Sequence, residues 1–286
     1  MRVPIYKLTN LQTGKLWLLI IAGLLISFHL HFAWQAGLTN LVVTTILFTT
    51  AIYLRIQKRF VDLRLESDRT SQILALTIIM VILLKSLFWE NSEYVIRLLP
   101  LIIGFTLAIL ASGIKGIKQY WLELILLLLL AIPLEALIEP INQTFQITTL
   151  LAQFSTFILW YLGFDVTRQG EFIILPTKAT WVGPNCSGVL TILWMLQLGL
   201  LFLVMFPTKP IHKILVPVAA IAIVIFINGI RIAIMSYMAA HNYALFEILH
   251  SDKAQIFSTI PLLLFAAFCK FLHQQQLEKS SLIKTE

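Results

Sequence analysis

Three residues of this chain have side chains suited to acyl transfer: a cysteine, an arginine and a histidine. Cys186 lies in Gly-Pro-Asn-Cys-Ser-Gly at the start of a long apolar run, Arg231 interrupts a second run, and His250 precedes a third. A thiolate attacks carbonyl carbon, and a helix N-terminus or a nearby cation favours that ionised form. An imidazole can take the thiol proton and later protonate the leaving amine, while a guanidinium can stabilise an oxyanion. These residue types predict a cysteine-dependent acyl-transfer site.

The elements that must position these residues are membrane helices. The chain has 286 residues, of which 59% are hydrophobic and 12% charged, and its mean hydropathy is +0.88. Because a spanning helix takes about 20 residues, this composition predicts an all-α polytopic membrane protein with about eight transmembrane helices. The expected spans are 16–34, 36–54, 71–89, 94–113, 120–138, 187–206, 213–239 and 254–272.

The segment between the fifth and sixth spans has a different pattern. Residues 141–163 mix amides and hydroxyls with large apolar side chains, which indicates an amphipathic helix lying in the membrane interface. Residues 166–182 combine β-branched and aromatic residues with Gly170 and Pro176 as breaks, which predicts a short external hairpin before the sixth helix.

The basic residues orient the chain. Fifteen of the 21 Lys and Arg fall in loops on the side of the N-terminus, so the net charge of +7 indicates topology rather than a nucleic-acid partner. We expect a multi-pass protein of the inner (plasma) membrane with both termini cytoplasmic. It would form one integral membrane domain, with N-terminal helices at 16–113, a catalytic region at 114–272 and a cytoplasmic tail at 273–286.

This topology predicts that the three chemically distinctive residues share the external face. Arg231 lies about eight residues, on the order of 12 Å, inside the external end of its span, which is too deep for an unpartnered charge. It therefore requires a polar partner or a watery cavity. Cys186 and His250 lie at the external mouths of the sixth and eighth helices. The site is thus expected to face the external or periplasmic side.

The motifs around these residues resemble those of the exosortase and archaeosortase family of membrane transpeptidases. The resemblance rests on Asn-Cys-Ser-Gly opening an apolar helix, on Asn-x-x-Arg-Ile within the next, and on a His nineteen residues later. Leu-Gly-Phe-Asp-Val at 162–166, followed by Gly170 and a short strand pair, is similar to the same family and its cyanobacterial branch. The resemblance covers about residues 95–272 and is most specific from Phe164 to Arg231.

The resemblance implies Cys186 as the nucleophile, Arg231 as the essential arginine and His250 as the third member. It implies membrane-anchored protein substrates with a C-terminal sorting signal, made of a Pro-Glu-Pro-like motif, a spanning helix and a basic tail. No cofactor and no metal are expected. This chain has Asn185 where many members have Ala, and no Gly follows His250. His241 is therefore kept as the competing third member.

Three neighbouring polar residues have supporting roles in this interpretation. Asn185 and Ser187 can donate to an oxyanion, and Ser187 can equally be an ordinary helix cap. Asn228 lies one helical turn from Arg231, where its amide can hold the guanidinium or join two helices.

Three other interpretations compete with the peptidase. A transporter that binds an anion at Arg231 would be expected to have a broken helix near that residue. An acyl carrier in polysaccharide or lipid modification would use Cys186 without cleaving a peptide. A metal site made of Cys186, His241 and His250 lacks motif spacing, and two cysteines exclude a disulfide scaffold.

Overall fold

The computed structural model describes residues 16–86, 92–206, 208–250 and 256–282, and the side chain of His250 lies outside the described residues. The chain divides into two compact units, Met1–Pro133 and Leu134–Glu286. The predicted regions 16–113, 114–272 and 273–286 stay a prediction.

The described part of the N-terminal unit consists of helices. They are α1 (Leu16–Gln35), α2 (Thr39–Lys58), α3 (Arg69–Ser86), α4 (Glu93–Gly116) and α5 (Trp121–Ala131), with short 3-10 turns at Phe60–Asp62 and Ile117–Tyr120. α1 ends because Gly37 takes a left-handed φ of 73°, which lets the Leu38 amide bond to the Ala33 carbonyl at 2.9 Å.

α3 begins with a capping network around Asp68. Its Oδ1 accepts a bond of 2.6 Å from the Ser71 hydroxyl, and its Oδ2 accepts bonds from the Ser71 amide at 3.1 Å and from the Thr70 hydroxyl. These bonds, that from the Ser71 hydroxyl foremost, hold the pKa of Asp68 below its usual range. The cap satisfies backbone donors at the start of the helix.

The C-terminal unit combines helices with a small sheet. Its elements are α6 (Ile138–Phe145), α7 (Ile147–Tyr161), β1 (Thr167–Gln169), β2 (Phe172–Leu175), β3 (Lys178–Trp181), α8 (Val189–Met205), α9 (His212–His241), α10 (Tyr243–His250) and α11 (Ile256–Leu282), with 3-10 turns at Leu134–Leu137 and Pro184–Cys186. α11 thus extends past residue 272 into the predicted tail.

The three strands pair antiparallel in the order β1–β2–β3. Phe172 pairs with Gln169 on one side and with Trp181 on the other. The segment predicted as a hairpin is therefore one strand wider in the structure, because Thr167–Gln169 also joins the sheet.

The segment predicted as an interfacial helix forms α6 and α7 instead of one helix. On α7, Thr148 and Ser155 are fully buried, while Phe157 and Trp160 are more than half exposed. The Ser155 hydroxyl donates to the carbonyl of Gly229 on α9 at 2.8 Å. The buried face of α7 thus holds hydroxyls together with apolar core residues such as Leu151 and Leu159, while its exposed face is mainly large and apolar. Inside a membrane protein, hydroxyls are satisfied by neighbouring helices.

The chain is an all-α membrane protein apart from the small sheet. Among the described residues, four helical segments are long and apolar enough to cross a membrane: Leu16–Gln35, Thr39–Lys58, Glu93–Ala131 and His212–His241. Two further apolar helices, α7 and α8, are shorter. The count of eight spans stays a prediction.

Candidate active site

Cys186 lies in a tight turn that leads into α8. The turn Pro184–Cys186 closes with bonds from the Cys186 amide to the Gly183 carbonyl at 2.9 Å and from the Ser187 amide to the Pro184 carbonyl at 3.1 Å. α8 begins three residues later, so Cys186 precedes the helix rather than opening it. The cysteine is half-buried and packs against a core formed by α7, α8, α9 and the sheet.

The side chain of Asn228 joins this turn to α9. Its Nδ2 donates to the backbone carbonyl of Cys186 at 2.6 Å, and the residue is 7% exposed. Gly188 permits this close approach, because a Cβ at that position would lie 3.0 Å from Asn228 Nδ2 and 3.1 Å from Val224 Cγ1. Gly188 also has a φ of 71°, which side chains disfavour. The sequence left two roles open for Asn228, holding the Arg231 guanidinium or joining two helices, and the bond in the structure goes to the cysteine turn.

Arg231 lies one turn further along α9 than Asn228, on the same side of the helix. It is half-buried, and its Cζ lies 6.0 Å from the centroid of the Phe257 ring on α11, within the range of a cation–π contact. Among the residues that the structure describes, no carboxylate forms an ion pair with Arg231.

The two candidate histidines follow Arg231 on different elements. His241 is the exposed last residue of α9, where its ring stacks on Tyr237 at 4.3 Å and its Nδ1 lies 3.0 Å from the Tyr237 carbonyl oxygen. It is ten residues from Arg231, about 15 Å along the helix. His250 ends the separate short helix α10. Because the side chain of His250 is outside the described residues, its choice over His241 stays a prediction.

The sheet lies at the end of α9. The Thr177 hydroxyl donates to the Ala240 carbonyl at 3.1 Å, and Lys178 Nζ lies 4.1 Å from the centroid of the Tyr243 ring on α10. The sheet, the cysteine turn and the carboxyl end of α9 are thus connected within one unit. The strands were expected to lead into the cysteine motif, and Val182 continues them with a bond to the Glu171 carbonyl at 3.0 Å.

Asn185 and Ser187, the two supporting residues in the turn, differ in whether their side chains are free to contact a substrate. Asn185 is exposed, so its amide is open to a substrate. Ser187 is 1% exposed, and its hydroxyl donates to the Pro184 carbonyl at 2.5 Å while accepting from the Val189 amide at 3.3 Å. Its single proton is therefore engaged within the turn, as in a helix cap.

A polar network near the turn was not predicted from the sequence. Glu171 on the sheet accepts a bond from Trp181 Nε1 at 3.1 Å and another from the Thr148 hydroxyl of α7. Thr148 in turn bonds to Asn142 through both its amide and its hydroxyl. The sequence signal that could have indicated this network is Glu171, an acidic residue in a predicted strand pair that also contains Trp181. Polar groups that become buried require hydrogen-bond partners.

The described residues hold no group of three or more His, Cys, Asp or Glu side chains that could bind a metal. That search does not include the side chain of His250. The alternative site made of Cys186, His241 and His250 is therefore untested.

The fold and the site define a class: an integral membrane protein with a half-buried cysteine turn bonded to a helix that carries a half-buried arginine. A family model of the transmembrane exosortases matches residues 34–267, which is 234 of the 286 residues. The chain belongs to this family. The match supports a role in protein sorting of the kind that membrane transpeptidases have. No curated protein and no solved structure matches the chain. The assignment to a cyanobacterial branch stays a prediction.

Proposed function

We propose that this protein is a membrane cysteine peptidase and transpeptidase that cleaves the C-terminal sorting signal of membrane-anchored secreted proteins. The observation that supports it best is the 2.6 Å bond from Asn228 to the carbonyl of Cys186. This bond holds the cysteine turn against the helix that carries Arg231. Arg231 lies one helical turn from Asn228, and a thiol nucleophile with a nearby guanidinium is the combination that acyl transfer requires.

The proposed reaction proceeds through a thioester. His250 takes the thiol proton, and Cys186 Sγ attacks the scissile carbonyl carbon to form a tetrahedral oxyanion. Arg231 and the exposed amide of Asn185 stabilise that oxyanion. The C–N bond then breaks, and the leaving amine receives the proton from His250. An acceptor amine or water attacks the thioester, gives a proton to His250, and releases the thiol.

The substrate is itself anchored in the membrane in this proposal. Its scissile bond lies just outside its own spanning helix, at the external face where Cys186 is expected. Both termini of the enzyme are cytoplasmic. A reporter fused after Lys118 is expected to be cytoplasmic and one near Thr177 external, and the reverse result would contradict this orientation.

The structure gives no support to the transporter alternative. A transporter site at Arg231 would be expected in a discontinuous helix. Here α9 is helical from His212 to His241. An acyl carrier on Cys186 is the remaining alternative, and it differs from the peptidase in the acyl donor that it accepts.

Processing of a co-expressed substrate tests the proposal. The substrate is a membrane protein that ends in a Pro-Glu-Pro-like motif, a spanning helix and basic residues. Cys186→Ala is expected to abolish its cleavage, and Arg231→Ala to lower the rate about 10²- to 10³-fold, as for loss of one oxyanion donor. Mass spectrometry of the Cys186 peptide should detect the thioester.

Two matched variants serve as controls. Cys269→Ala removes the other cysteine, which is buried on α11, and Arg168→Ala removes an exposed arginine that donates to the Gly170 carbonyl. Both are expected to process the substrate at the normal rate. Normal cleavage by an inserted Cys186→Ala protein would refute the proposal. A thioester with a lipid or sugar acyl donor, without peptide cleavage, would favour the carrier.

A further inference from the structure

The N-terminal unit contains a cavity of about 240 Å³ between α1, α2, α4 and α5. Its wall is almost entirely aliphatic and aromatic, with residues such as Ala22, Ile52, Pro100 and Leu127. It exceeds the roughly 150 Å³ of an apolar protein cavity that binds benzene. The cavity is therefore large enough for part of a hydrocarbon chain.

One end of the cavity has a buried carboxylate with an unused oxygen. Glu123 is 3% exposed and lines the cavity. Its Oε1 accepts a bond from Arg55 Nε at 2.8 Å, and Arg59 Nη2 lies 3.5 Å away. Its Oε2 and the neighbouring Arg59 Nε are both buried without a hydrogen-bond partner among the described residues. Buried polar atoms are normally paired, so this end is suited to a polar ligand group.

A second unpaired polar atom lies elsewhere in the same cavity. His29 on α1 is 1% exposed, and its Nε2 bonds to the Thr45 hydroxyl at 3.2 Å. Its Nδ1 has no partner among the described residues. Thr45 and Arg55 are ten residues apart on α2, which places the two polar regions about 15 Å apart at the rise of an α-helix.

The groups at the Glu123 end favour an uncharged ligand. An added ammonium would meet the positive charge of Arg55 and Arg59, and an added anion would face the unpaired Oε2 of Glu123. A hydroxyl can donate to Glu123 Oε2, which gives the unpaired carboxylate oxygen its partner. Water is disfavoured as the filling of the whole cavity, because the wall between the two ends offers few polar partners.

We propose that this cavity binds an elongated uncharged amphiphile from the membrane, with a hydroxyl at Glu123 and a second hydrogen-bonding group at His29. Its apolar chain fills the space between them. The surrounding helices include spans long and apolar enough to lie in a bilayer, which supplies such molecules. The proposal concerns the N-terminal unit and does not depend on the peptidase activity.

Photolabelling in phosphatidylcholine nanodiscs tests this binding. An extended chain of about twelve carbons has roughly the required 15 Å length, given C–C bonds of about 1.5 Å. Three probes with a mid-chain diazirine are compared: 1,12-dodecanediol, 1-dodecanol and dodecane. We expect labelling of the cavity residues to fall in that order, by about threefold to tenfold for each hydroxyl lost. His29→Phe should remove the advantage of the diol over the alcohol.

A cavity-filling variant and a matched control complete the test. Ala22 and Ala111 line the cavity, so Ala22→Leu with Ala111→Leu should lower labelling by the diol at least tenfold. Ala222→Leu, on the exposed side of α9, should leave it unchanged.

Equal labelling by the three probes, or normal labelling of the filled variant, would show contact with bulk lipid only and overturn the proposal. If deletion of residues 1–15 raises diol labelling severalfold, that segment is the occupant and the proposal is wrong. The comparison of probes on the unaltered protein remains decisive if the filled variant does not fold. Cys186→Ala should bind the probes normally, which separates this test from that of the peptidase.

Discussion

Replacing Asn228 by alanine tests whether its amide holds the cysteine turn in place. The bond to the Cys186 carbonyl is short, at 2.6 Å, and Asn228 is 7% exposed. Leaving this part-buried carbonyl without its donor costs about 1–3 kcal/mol. The equilibrium constant for local opening of the turn should therefore rise by a factor of about 5 to 150, without unfolding of the whole unit.

Amide hydrogen exchange measures this opening directly. The Cys186 and Ser187 amides are protected by bonds to the Gly183 and Pro184 carbonyls, at 2.9 and 3.1 Å. In Asn228→Ala, the exchange rate of these two amides should rise by the same factor of about 5 to 150, as read by mass spectrometry of peptides covering the turn.

The matched control is Asn185→Ala, which alters an exposed amide in the same turn. Its exchange should stay within about twofold of the unaltered protein, since exposed side chains contribute little. Asn228→Asp keeps the shape but replaces the donor by an acceptor, so at neutral pH it should open the turn at least as much as Asn228→Ala. Exchange in Asn228→Ala equal to that in Asn185→Ala would refute the proposed lock.

Three further predictions concern backbone fit and capping. Gly188→Ala should cost more than Gly163→Ala, because both have positive φ but only Gly188 has neighbours that a Cβ would meet; strain alone is about 1–2 kcal/mol. Gly229→Ala should cost about 1–3 kcal/mol by overpacking, because its Cβ would lie 2.2 Å from Phe154 Cδ1, and Phe154→Ala should remove most of that cost. Asp68→Ala should lower the thermal midpoint at pH 7 but have less effect below about pH 4. The pKa of Asp68 is lower in the folded protein than in the unfolded chain, where it is about 3.9. The ionised carboxylate therefore stabilises the fold at pH values above about 3.9, and this contribution is lost as pH falls toward the folded-state pKa.

Thermal unfolding of the purified variants checks all three. Equal losses for Gly188→Ala and Gly163→Ala would remove the argument for a close approach at the cysteine turn. A cost of Gly229→Ala that persists beside Phe154→Ala would show that the two positions do not contact each other. An effect of Asp68→Ala that is the same at pH 7 and pH 3 would contradict the capping role of the carboxylate.

The helical class and the family could be predicted from the sequence, because hydropathy and short motifs are local properties. A run of apolar residues indicates a membrane helix wherever it packs. The motifs around Cys186 and Arg231 likewise lie within short stretches of chain. The family model, which matches residues 34–267, confirms the exosortase prediction that rested on them.

The contacts that build the site depended on packing that no local pattern contains. Periodicity places Asn228 and Arg231 on one side of α9, but it does not show which element packs there. The structure places the carbonyl of Cys186 at 2.6 Å from Asn228, so the amide orients the nucleophile turn rather than the guanidinium.

The orientation of α7 illustrates the same limit. Its sequence mixes hydroxyls with large apolar residues, and on an interfacial helix the polar residues would face water. Here the Ser155 hydroxyl bonds to the Gly229 carbonyl, and Trp160 is 63% exposed. The sequence by itself determined the helical class of this segment and the family motifs around Cys186 and Arg231. Only the tertiary structure decided which side meets protein, because in a membrane the neighbouring helix, and not water, satisfies the polar groups.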